Sequence, residues 1–177
     1  PSSLDYPYGP YGENAGDSSM VLAYLSARPL AARTDVLLLN CGLHDLKVDT
    51  STGRRQVELA SYRANLAGII ALVRAAETRL VWCSTTPVAD AVHAEHGREL
   101  AFSRSAADVA RYNAAASEVM RAADVPIIDL HASTIALGVL EPGGLPSLYV
   151  DHVHYLPWVR AAQAAYLAGW LAAQHAS

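Results

Sequence analysis

Asp151-x-x-His154 is the pattern in this sequence best suited to chemistry. Three residues apart in a tight turn, a carboxylate can hydrogen-bond the imidazole, fix its tautomer and stabilise the imidazolium formed when the ring takes a proton. Spacing alone also fits a surface histidine with a local partner. The pair lies after a Gly/Pro-rich loop, Glu141 to Ser147, and before the last helical stretch, which favours the functional reading. His44-Asp45 is a second candidate. It follows an apolar run, where donors meet a ligand, although such a pair can equally order its own loop. His152-x-His154 supports a rival chemistry. In an extended segment both rings face one side, as metal ligands do, and with His44, Asp45 and Asp151 they could form a hydrolytic metal site. Residue 152 separates the two chemistries, because the metal reading needs it and a serine hydrolase does not. No second HxH or HxxxH pattern is present, and His93-x-x-His96 falls in Val88 to Arg104, which reads as a surface excursion.

Gly16-Asp17-Ser18 raises a separate question, whether Ser18 is a nucleophile or the start of a helix. No apolar strand precedes Gly16. The turn-rich segment Pro1 to Gly12 stands there instead.

The elements that must position these residues alternate. Residues 17 to 32 read as a helix with Asp17 or Ser18 as its N-cap. "DVLLLNCG" (Asp35 to Gly42) is a continuous apolar run, typical of a strand covered on both faces. A polar loop through "DTSTGRRQ" follows. Leu59, Tyr62, Leu66, Ile69 and Val73 recur at helical spacing, and "RLVWCSTTP" (Arg79 to Pro87) is the next buried strand. Ser105 with Asp108 marks a helix start, with Val109, Tyr112, Ala116 and Val119 as its apolar stripe. "VPIIDL" (Val125 to Leu130) is a short strand, and an Ala-rich helix runs from about Pro157 to Gln174. Such alternation implies an α/β fold with a parallel sheet between helices. Sites in these sheets form at the carboxyl ends of strands, where Gly42-Leu43-His44-Asp45 and Ser84-Thr85-Thr86 would lie.

A length of 177 residues fits one domain spanning the whole chain. The 52% hydrophobic and 17% charged composition excludes a disordered chain. Net charge is −4, with Lys47 the lone lysine and no basic run, which argues against nucleic acid or an anionic membrane as partner. Cys41 and Cys83 each end an apolar run and read as buried free thiols. No run reaches the roughly 20 apolar residues of a membrane span. No signal peptide is visible, which tilts expectation toward the cytoplasm and leaves the compartment open.

The ordered set "NAGDSS", "LLLNCGLHD" and "DHVHYLP" resembles the second, third and fifth blocks of SGNH (GDSL-type) hydrolases. "GLHDLK", "YRANLAGIIALV", "RLVWCSTTPV", "DVARYNAAASEVM" and "VHYLPWVRAAQAAYLAGWL" are similar to one bacterial branch of that family, over Glu13 to about Ala172. The resemblance implies a flavodoxin-like three-layer fold with a five-stranded parallel sheet. It also implies ester hydrolysis by a Ser-His-Asp triad without metal or other cofactor. On matched positions, His154 would be the general base and Asp151 its orienting partner. Gly16 would give an oxyanion-hole N–H, and His44 would stand where the family usually has the Asn donor. In the family the nucleophile follows the first, central strand. The interval from Gly16 to His44 fits that between the second and third blocks, so Ser18 is read as a helix start and is the fallback nucleophile only. The first strand and its serine are then expected outside this chain, supplied by an N-terminal fragment or a second chain. The expected substrate is a small acyl or acetyl ester. A non-catalytic binding module on an esterase fold is the remaining class.

Overall fold

The computed structural model describes residues 16–28, 30, 34–96, 98 and 100–175. The turn-rich reading of Pro1 to Gly12 therefore lies outside the described residues, whereas the helix expected to reach residue 32 stops at Ala27, where Arg28 caps it by donating its N–H to the Tyr24 carbonyl.

Three parallel strands carry the fold: β1 (Val36–Leu39), β3 (Arg79–Cys83) and β5 (Ile127–Ile128), in the order β1-β3-β5. Leu38 pairs with Val81, and Trp82 with Ile127. β3 is central and alternates. Leu80 and Trp82 enter the main core, while Val81 and Cys83 join Ile128 on the opposite face. Helices α1 (Ser18–Ala27), α2 (Leu59–Ala75) and α4 (Ala106–Ala122) contribute to the main core, and Leu167 and Trp170 of α6 (Pro157–His175) cover the other face. The expected helix-flanked parallel sheet is thus present. The stripe on α2 is buried as its spacing requires, through Tyr62, Leu66, Ile69, Ile70 and Val73. Ser105 caps α4 by accepting from the Asp108 N–H.

Four local features differ from the sequence reading. β1 is an edge strand among the described residues, and Val36 and Leu38 are each 37% exposed, so the run is covered on one face rather than both. The polar loop after residue 46 contains β2 (Val48–Asp49), which pairs antiparallel with β4 (Phe102–Ser103). Two residues are too few for period-2 alternation to show. The stretch from Val88 to Arg104 is not a bare surface excursion. It holds α3 (Asp90–His96), and His93 and Arg104 are buried. Finally, α5 (Leu130–Leu140) was not visible as a helix because its sequence is apolar on most sides. It buries Thr134 and Gly138 yet leaves Val139 and Leu140 each 79% exposed.

Candidate active site

Asp151 and His154 sit on a turn whose two arms are clamped together. Tyr149 and Tyr155 form a bridge, Val150 N–H donates to the His154 carbonyl at 2.7 Å, and Leu156 N–H donates to the Leu148 carbonyl at 2.9 Å. Both tyrosine hydroxyls donate to the carbonyl of Pro87, at 2.6 and 2.9 Å, which ties the turn to the segment leaving β3. Leu148, Tyr155 and Val159 form a small core beneath it. Proximity in sequence does the rest. Asp151 Oδ1 accepts from the backbone N–H groups of Val153 and His154, each at 2.8 Å, leaving Oδ2 to meet His154 Nδ1 at 2.6 Å. Burial works to raise the Asp151 carboxyl. The His154 ring and the two backbone donors outweigh it and hold the group well below the usual carboxylate range. The His154 side chain is 75% exposed, so Nε2 is open to an incoming group.

The second group of candidate residues lies at a buried junction. Asp17 caps α1 by accepting from the Ser19 and Met20 N–H groups. Of the two residues considered for the cap, Asp17 fills that role. Ser18 is the first helical residue and is fully buried. Its N–H donates to Asp45 Oδ1 at 2.9 Å, and its Oγ accepts from Asn65 at 2.9 Å. No described contact joins Ser18 to His154. The Ser18–Asp45 bond fastens the turn at Gly16, where φ is +80°, to the turn at Gly42–Asp45. Gly42 is required there. Its φ is +149°, and a Cβ would lie 2.4 Å from Thr85 Oγ1.

Asp45 and His44 are neighbours with opposite shifts. Burial pushes Asp45 up to about 6, against the hydrogen bonds from Ser18, and its Oδ2 has no partner among the described residues. Burial, followed by the charges of Lys47 and Arg104, pulls His44 down to about 4, so its ring is neutral at neutral pH. A neutral imidazole still carries one N–H able to donate.

His152 packs on His93 at the edge of the Asp151–His154 pair. Its ring stacks edge-on to His93 at 5.5 Å, and its Nδ1 is 3.9 Å from Asp151 Oδ1. Among the described residues no group of three or more His, Cys, Asp or Glu side chains is placed to hold a metal ion, so His44, Asp45, His152 and His154 are not assembled as the metal reading requires. Asp45 is instead committed to the α1 N-terminus. The sequence reading missed Asn65, which holds Ser18. It also missed Gln56, whose Nε2 donates to Asp17 Oδ2 at 3.0 Å, and Arg104, whose Nε donates to the Leu43 carbonyl at 2.8 Å. These are long-range polar contacts, and no local pattern marks them.

The model of the GDSL-like lipase/acylhydrolase family matches residues 9–157. No curated protein matches the chain. Among solved structures, an acetyl xylan esterase superposes with a TM-score of 0.69 at 16% identity, covering 91% of this chain and 78% of its own. A lipase/acylhydrolase from Enterococcus faecalis gives 0.64 at 17% identity, over 86% and 69%. A GDSL-like lipase from Bacteroides thetaiotaomicron gives 0.66 at 14% identity, over 91% and 73%. Neither the metal site nor a non-catalytic binding module finds support in these matches. The family model spans most of the sequence and the three-layer fold is shared, so the chain belongs to the GDSL-like lipase/acylhydrolase family.

Proposed function

We propose that this chain hydrolyses small acyl or acetyl esters through a serine nucleophile, with His154 as general base and Asp151 as its orienting partner. The observation that carries the reading is the 2.6 Å contact between Asp151 Oδ2 and His154 Nδ1, with the opposite ring nitrogen exposed. The ionised carboxylate fixes the proton on Nδ1, leaves Nε2 basic, and stabilises the imidazolium once the serine proton arrives. The backbone N–H of Gly16 and the neutral ring of His44 donate to the oxyanion of the tetrahedral intermediate. The imidazolium then protonates the departing alcohol, and water repeats the cycle on the acyl-enzyme.

In this reading the nucleophile is not Ser18, which is buried and held by Asn65. It comes from a segment beside the open edge of β1, either an N-terminal fragment or a second chain. The place of β1 at the edge of the sheet among the described residues supports this placement, since an apolar parallel strand is ordinarily paired on both sides. The test, on the chain together with the segment that supplies its serine, is hydrolysis of 4-nitrophenyl acetate and fluorophosphonate labelling, the labelled peptide being identified by mass spectrometry. Activity that disappears in His154→Ala, with no label on Ser18, supports the proposal. A label on Ser18 overturns it.

A further inference from the structure

The small β2–β4 sheet beside the site concentrates positive charge that the ester chemistry does not use. Lys47, Arg54, Arg55 and Phe102 line a cleft of about 390 Å³, together with Asp49 and Gln56. Asp49 is already committed to its own turn, where Oδ1 accepts from the N–H and hydroxyl groups of Ser51 and Thr52. Arg55 gives one nitrogen to Asp108 at 2.8 Å, and its buried Nη1 has no partner among the described residues. Phe102 lies between two cations. Lys47 Nζ is 4.6 Å from the ring centroid and Arg104 Cζ is 4.8 Å from it. Arg104 is 7% exposed, meets no carboxylate among the described residues, and leaves Nη1 unpartnered.

A buried cation without a counter-ion, as Arg104 is among the described residues, is costly, and Lys47 against the same ring adds repulsion. Burial, then the charge of Arg104, pulls Lys47 below its ordinary value, with Asp17 opposing. A solvated basic face would spread its charges apart and bury none of them. The cleft also adjoins the chemistry, since Gln56 lines it and hydrogen-bonds Asp17, and Lys47 follows His44 by three residues.

We propose that this cleft is an anion subsite, holding a carboxylate or phosphate group carried by the substrate against Lys47 and Arg54, with the Asp108-paired Arg55 lining it and the buried charge of Arg104 across the Phe102 ring. It rests on the hydrolase reading only in making the anion part of an ester. Charge-assisted hydrogen bonds to two cations give such a group both affinity and register.

The test is titration of the ¹⁵N-labelled chain with inorganic phosphate and, separately, succinate, at ionic strength matched by potassium chloride. Saturable amide shifts confined to residues 47–56 and 101–104, with Kd on the order of 1 mM, are expected for at least one anion. The tighter of the two identifies the group. Lys47→Gln and Arg54→Gln should each weaken binding about tenfold, while Arg121→Gln, a cation on α4 outside the cleft, should not. Linear shifts, or shifts that potassium chloride reproduces, overturn the subsite. A second arm compares mono-4-nitrophenyl succinate with 4-nitrophenyl acetate, and the succinate should have the lower KM by about tenfold. Anion binding without turnover of either ester, when the chain is assayed together with the segment that supplies its serine, sustains the cleft and removes the hydrolase reading. Turnover of both esters with equal KM and no anion binding removes the cleft alone.

Discussion

The turn at Gly42–Asp45 and the turn at Asp151–His154 each carry a histidine and an aspartate, in opposite settings. In the first, the two side chains point into different environments. Asp45 is fully buried and braces the start of α1, while His44 is kept neutral by burial and nearby cations. In the second, carboxylate and ring face each other at 2.6 Å in a partly open turn. The same residue types therefore serve different ends. In the proposed reading, one turn is a scaffold that presents a neutral donor, and the other is a proton-handling pair.

The widest separation between the two turns should appear in catalysis. In the enzyme complete with its serine, His154→Ala is expected to lower kcat for 4-nitrophenyl acetate by about 10⁴-fold, and Asp151→Asn by somewhat less. Near-normal turnover in His154→Ala would remove the proton-handling role. His44→Ala should cost about 10²-fold in kcat with little change in KM, and His44→Asn should recover part of the loss. An unchanged kcat in His44→Ala would leave that turn a scaffold only.

The third prediction concerns stability and pH. The folded-state value of Asp45, about 6, lies above the ordinary carboxylate value of 3.8, so folding binds its proton more tightly. The burden on folding is absent below the unfolded value and grows as pH rises from about 4 through 6. Asp45→Asn abolishes this titration. Its stability relative to wild type should therefore rise by about 2 kcal/mol between pH 4 and pH 7, measured by urea denaturation. A pH-independent difference would show that Asp45 titrates normally. The smallest effect is expected at Ser18. Removing its hydroxyl in Ser18→Ala should cost about 1 kcal/mol of stability through the lost Asn65 contact, with esterase turnover retained. Loss of turnover with unchanged stability would make Ser18 the nucleophile.

The contrast also explains what could be read from the sequence. Asp151 and His154 are three residues apart, so chain geometry alone brings them together. The helices α2 and α4 were legible because a long amphipathic stripe repeats every turn. The junction was only half legible. Gly16 and His44 were identified through resemblance, but the bond from Ser18 to Asp45 spans 27 residues and depends on burial that no local pattern encodes. Arg104 was hidden for a related reason. A charged residue in a polar stretch reads as solvent-facing, and only the packing of Phe102 and α3 encloses it. α5 escaped because an almost uniformly apolar helix has no stripe to detect. Its exposed Val139 and Leu140 would in any case have been assigned to a core.

The two thiols give the carboxyl edge of the sheet a built-in clock. Cys41 is buried beneath a carbonyl that accepts from the hydroxyls of Tyr62 at 2.9 Å and Thr85 at 3.4 Å, and Cys83 ends the central strand. Burial raises both above the ordinary thiol value, so neither offers an appreciable thiolate at neutral pH while the chain is folded. Alkylation by a slow reagent must then wait for the segment to open. With a chain carrying two cysteines, the residue modified at each time point is read directly from the mass of its peptide. Modification of Cys41 before Cys83 would report fraying that begins at β1, and simultaneous modification would report opening of the sheet as one unit.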